Sequence, residues 1–248
     1  MSENQLLQHV TDYKYTALIE STGERVSFRP ITTGQMKGLL TYEDSKDTFI
    51  VETMMDELIT SCVTDKDFNI DDITLQDRFD LLLEIRKKTK GSIYTFNIRC
   101  PDCGTTSINN VKLDELEYKE FKPNIDPVIK INDTLSIRLD YIRRGDQKKA
   151  IKIVNTMKGL SDRQQIVEIA TYTYALCMKE FITPTGVMEK PSIKDIVEFL
   201  DSFDEDMYSV LIDWFKDSDY GVEFEYELKC SNCDFSEVKN IPVSSFLA

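Results

Sequence analysis

With 248 residues, 41% of them hydrophobic and 30% charged, the chain has the composition of a folded protein that can bury one large core or two small ones. No apolar run approaches the ~20 residues that span a bilayer, and the opening Met1 to Gln5 lacks the basic and apolar segments of a secretory signal. A formal charge of −14 opposes nucleic-acid binding through phosphate contacts and favours solubility and basic protein partners.

His9, the single histidine, precedes the first element and reads as a surface residue, which excludes most histidine-based acid–base schemes. Alternating apolar positions from Ala17 to Phe28, broken by Ser21, Thr22 and Gly23, predict a β-hairpin. A helix is expected from Gln35 to Tyr42. A longer one follows, with Val51, Met54, Met55, Leu58 and Cys62 on one buried stripe. Met36, Met54 and Met55 are expected to fill core gaps. The next helix carries Leu75, Phe79, Leu82 and Leu83, with Thr74 as its cap and Asp77 at its positive end. The basic run Arg86 to Lys90 reads as a solvated surface. After Gly91, strands Ile93–Ile98 and Thr106–Leu113 enclose Cys100-Pro-Asp-Cys103.

The second half reads similarly. Val128 to Leu139 predicts a hairpin turning at Asn132 and Asp133, and a helix follows from Asp146 to about Met157. Arg143, Arg144, Lys148 and Lys149 read as another solvated basic surface. Ile166, Ile169, Ala170, Thr173 and Cys177 repeat the earlier stripe behind a capping box of Ser161 and Gln164. Breakers at Pro184, Gly186 and Pro191 precede an extra helix, Ser192 to Leu200. Phe203, Met207, Val210 and Leu211 then form a helix capped by Ser202, with Glu205 in its first turn. The acidic residues Asp201, Asp204, Glu205 and Asp206 read as a charged helix start rather than a paired acid–base site. Gly221 and the strands Val222–Leu228 and Ser236–Val243 enclose Cys230-Ser-Asn-Cys233. The apolar stretch Ile241–Ala248 is expected to pack internally, with a partner-docking tail as the alternative.

These matching series imply an internal duplication. The expected fold is α+β: two tandem pseudo-symmetric repeats, residues 1–122 and 123–248, forming one unit. Each repeat would comprise a β-hairpin, helices and a cysteine hairpin, and the second would carry the extra helix.

Cys62 and Cys177 lie in apolar surroundings and read as buried thiols. The other four cysteines form two C-x2-C pairs, and each two-residue spacer lets both sulfurs of a tight turn face one cation. Pairing the turns gives Cys100, Cys103, Cys230 and Cys233 as the ligands of one tetrahedral structural Zn²⁺ that clasps the halves. The competing readings are a disulfide framework, a thioredoxin-like redox pair, and one zinc per half with ligands recruited elsewhere. No phosphate-binding loop, dinucleotide turn, nucleophile elbow or H-E-x-x-H helix occurs, so no catalytic or cofactor-binding residue is assigned.

The ordered series of hairpin, Phe28-Arg-Pro-Ile31, the helix ending in Cys62, Ile85-Arg86, Gly91 and Cys100-Pro-Asp-Cys-Gly104 resembles the T4-type bacteriophage baseplate hub proteins. The likeness is clearest over residues 15–116, and the length suits the longer members, such as hub assembly catalysts. It implies a non-enzymatic assembly factor or subunit of the central hub of a contractile tail. The implied partners are other hub proteins rather than nucleic acid or membrane, and the implied location is the host cytoplasm, with retention in the virion left open. A zinc-ribbon nucleic-acid-binding or transcription-associated protein is the alternative.

Overall fold

A computed structural model describes residues 13–40, 48–242 and 246. The expected surface position of His9, the helix end at Tyr42 and the strand end at Val243 lie outside the described residues. In chain order, the first half holds β1 (Tyr15–Ile19), β2 (Glu24–Phe28), α1 (Thr33–Leu40), α2 (Thr48–Cys62), α3 (Leu75–Lys90), β3 (Ile93–Arg99), β4 (Thr106–Lys112) and β5 (Tyr118–Lys119). The second half holds β6 (Val128–Asn132), β7 (Leu135–Leu139), α4 (Arg144–Val154), α5 (Asp162–Cys177), β8 (Met178–Thr183) and β9 (Gly186–Val187). It ends with α6 (Ile193–Asp201), α7 (Glu205–Asp217), β10 (Gly221–Val222), β11 (Glu225–Lys229) and β12 (Ser236–Asn240). The fold is thus the mixed α+β type, built largely from antiparallel hairpins.

By their internal contacts the residues group into two units. One comprises residues 1–68, 79–118 and 222–248, and the other residues 69–78 and 119–221.

In the first unit, β1 and β2 pair antiparallel from Tyr15↔Phe28 to Ile19↔Glu24. Gly23, at φ +71°, supplies the left-handed residue of their turn and donates its N–H to Ile19 O at 2.8 Å. The end of α2 docks on β2: Phe28 pairs with Val63, and Arg29 N donates to Cys62 O at 2.9 Å. Leu58, Ile59 and Cys62 are buried on this contact, whereas Val51, Met54 and Met55 are only half-buried. Leu81, Leu82, Leu83 and Ile85 of α3 complete that core. Hairpins β3–β4 and β11–β12 each form a separate two-stranded antiparallel ribbon.

The second unit is built on a sheet of order β6-β7-β8-β9. Ile137, Met178 and Phe181 from its strands meet Ala150 and Val154 of α4, Tyr172 and Ala175 of α5, and Ile196, Leu200 and Leu211 of the last two helices. The Ser161–Gln164 capping box forms as expected. Residues 69–78 pack on the start of α4, where Arg144 N donates to Ile73 O at 3.0 Å. There, Thr74 Oγ1 caps the Asp77 N–H at 3.1 Å and donates to Asp77 Oδ2 at 2.9 Å, as its spacing predicts.

Besides the half-buried Val51, Met54 and Met55, four expectations need correction. Ile166 is 69% exposed, because only the C-terminal half of α5 reaches the core that buries Thr173 and Cys177. Ser202 does not cap α7, since its hydroxyl is spent on Phe199 O at 2.6 Å at the end of α6; Asp204 caps α7 instead, accepting from Met207 N at 2.9 Å. The expected strand 222–228 is split into β10 and β11. Finally, Arg86 and Arg144, read as solvated, are both buried.

Candidate metal centre

The metal-ligand candidates sit at the tips of the two ribbons of the first unit. In the β3–β4 turn, Cys100 N donates to Thr105 O at 2.8 Å and Gly104 N to Cys100 O at 3.0 Å. Gly104, at φ +72°, takes the left-handed position that lets the turn close this tightly. The β11–β12 turn repeats the pattern: Cys230 N donates to Phe235 O at 3.0 Å, and the Asn232 N–H points at Cys230 Sγ from 3.4 Å.

These turns bring together all four cysteines of the two C-x2-C pairs. Their sulfurs lie within 4.8 Å of one another, with Cys100 Sγ 3.8 Å from Cys233 Sγ and Cys103 Sγ 3.6 Å from Cys230 Sγ. A zinc ion with four bonds of ~2.3 Å has sulfur–sulfur edges of about 3.8 Å, so the spacing suits a tetrahedral thiolate site. Four sulfurs would leave no open position for water, which suits a structural site and not a catalytic one.

The thiols are electrostatically unequal. Hydrogen bonding with the Thr105 side chain and amide, and then with Asn232, holds exposed Cys103 down to about 6. At Cys233 the Phe235 amide is the largest influence and favours the thiolate. Desolvation and the three neighbouring sulfurs together outweigh it and push the thiol up to about 12. A divalent cation would offset that penalty, because its double positive charge among the sulfurs favours their thiolate forms.

The ribbons meet behind the sulfurs through aromatic side chains. Phe96 and Tyr226 stack edge-on at 5.1 Å, and Phe246 sits edge-on to Tyr94 at 5.2 Å and to Phe224 at 5.3 Å. Arg86 lies over the Tyr94 and Phe246 rings, 5.4 and 5.5 Å from their centroids. Its guanidinium donates to Phe246 O at 3.2 Å, to Ile93 O at 3.1 Å and to Gly91 O. Burial lowers its pKa. The internal packing expected of the C-terminal stretch is thus observed at Ile241 and Phe246. Sequence reasoning missed the Arg86 anchor and the aromatic bridge. The available signal was the cysteine offset of 130, which also carries Tyr94 onto Phe224 and Phe96 onto Tyr226.

The family model of the T4 bacteriophage base plate protein matches residues 10–248, so the chain belongs to that family. The family is one of baseplate structural proteins, generally non-enzymatic, and membership implies partners among other baseplate proteins. No curated protein and no solved structure matches the chain. Among the described residues, no helix is long and apolar enough to cross a membrane.

Proposed function

We propose that the protein is a non-enzymatic assembly factor or subunit of the central baseplate hub of a contractile phage tail. It acts in the host cytoplasm through contacts with other hub proteins. One structural Zn²⁺, held by Cys100, Cys103, Cys230 and Cys233, ties its two cysteine ribbons together. Family membership over nearly the whole chain carries this reading, and the clustered sulfurs support the metal. The burial of Arg86 and Arg144 weakens the nucleic-acid alternative, since each basic run loses an arginine to the interior.

We also read the chain as two copies, residues 1–122 and 123–248. Gly34 and Gly145 are each the second residue of a helix, and Gly91 (φ +87°) and Gly221 (φ +93°) each stand nine residues before a cysteine. The repeats describe ancestry, whereas the two units describe packing.

Affinity capture of the tagged protein from infected cells, followed by metal analysis of the purified chain, tests the proposal. Recovery of hub components with one zinc per chain is expected. Recovery of nucleic acid or RNA polymerase alone would overturn it.

A further inference from the structure

We infer that, once the metal is removed, hydrogen peroxide converts the four thiols into two disulfides that cross between the ribbons, Cys100–Cys233 and Cys103–Cys230, instead of one disulfide within each C-x2-C turn. The inference rests on the sulfur geometry and is independent of the hub reading.

The two crossing pairs are 3.8 and 3.6 Å apart and share no atom, so together they use every sulfur. Each must close by less than ~2 Å to reach a disulfide bond length of about 2.05 Å. The ribbons have a second attachment that keeps the sulfurs within reach when the cation leaves, the Phe96–Tyr226 stack and the Phe246 cluster anchored by Arg86. Each turn is held by its own main-chain hydrogen bonds, which keep its two sulfurs facing the opposite ribbon's pair. A crossing bond also closes a loop of about 130 residues and so restricts the unfolded chain far more than closing a four-residue loop would.

Cys103, the exposed member, meets peroxide first. Its sulfur attacks the peroxide oxygen, an S–O bond forms, the O–O bond breaks and hydroxide leaves. Cys230 Sγ then attacks the oxidised sulfur, forming the S–S bond and displacing a second hydroxide. The protons of the two thiols complete two waters. Cys100 and Cys233 consume a second peroxide in the same way.

The test uses the full-length chain, stripped with EDTA without air, treated with two equivalents of hydrogen peroxide, alkylated and digested unreduced with trypsin. Cleavage after Arg99, Lys112, Lys229 and Lys239 places each C-x2-C pair in its own peptide. The expected product is one species in which peptides 100–112 and 230–239 are joined by two disulfides. Separate peptides, each two hydrogens lighter, or disulfide-linked multimers would overturn the inference. Pairing is read from two variants. Cys100→Ser/Cys233→Ser leaves the 3.6 Å pair and should cross-link at least tenfold faster than Cys100→Ser/Cys230→Ser; equal rates or the reverse order would overturn the assignment. Zinc content before stripping is measured separately, so failure of the metal reading is distinguishable.

Discussion

Two glycines at equivalent helix positions have unlike surroundings. A Cβ on Gly145 would stand 2.8 Å from Asp71 O, a main-chain atom in the segment packed on α4, whereas a Cβ on Gly34 would find nothing nearer than 3.9 Å. Gly145→Ala should therefore cost about 1–3 kcal/mol through overpacking. Gly34→Ala should be neutral or stabilise by up to ~1 kcal/mol through helix propensity. Urea denaturation of both variants measures the contrast. A buried thiol gives the second prediction at this scale. Burial, reinforced by the Asp146 charge, pushes Cys177 from 9.0 up to about 12. Below pH 9 folded and unfolded chains both hold this proton, and the contribution is flat. Above it only the folded chain does, so stability should fall as pH rises, by up to ~1.4 kcal/mol per unit until the folded thiol also ionises. Cys177→Ala should flatten that slope in denaturation curves taken from pH 8 to 11, even though its cavity lowers overall stability.

The join between α6 and α7 shows how one hydroxyl can be assigned to the wrong helix. Ser202 serves the end of α6 and Asp204 the start of α7. Asp204→Ala should cost about 1 kcal/mol in thermal melts, and Ser202→Ala clearly less. The sequence showed both first-half and second-half hairpins, the Thr74 and Ser161 caps and the cysteine turns, because each rests on residues within a few positions of one another. Ile166 and Arg86 could not be placed that way. Helical spacing assigns a residue to a face, but it cannot say whether another element covers that face. Ile166 keeps the correct stripe and is bare, while Arg86 sits in a basic run and is buried because three carbonyls and two rings converge on it. The site was legible as four cysteines because C-x2-C spacing marks metal ligands however far apart the pairs lie, whereas aromatic residues on strands carry no mark that names their partners.

At the level of the whole chain, the sulfur cluster brings residues near 100 beside residues near 230, all within one unit. Chelation should therefore act unevenly. Hydrogen exchange with and without EDTA is expected to show lost protection in the two cysteine turns and the adjoining ends of β3, β4, β11 and β12, with the aromatic-backed ends retained and little change in β6–β8 and α4–α7. Uniform loss across both units would contradict this. The division of the chain also sets a timetable for its synthesis. A ribosome delivers every residue of the second unit by position 221, but the strands, sulfurs and Phe246 that complete the first unit emerge only afterwards. The unit begun first is consequently finished last. Until residues 222–246 have emerged, β3–β4 lacks the partners of its aromatic face and holds two of the four clustered thiols.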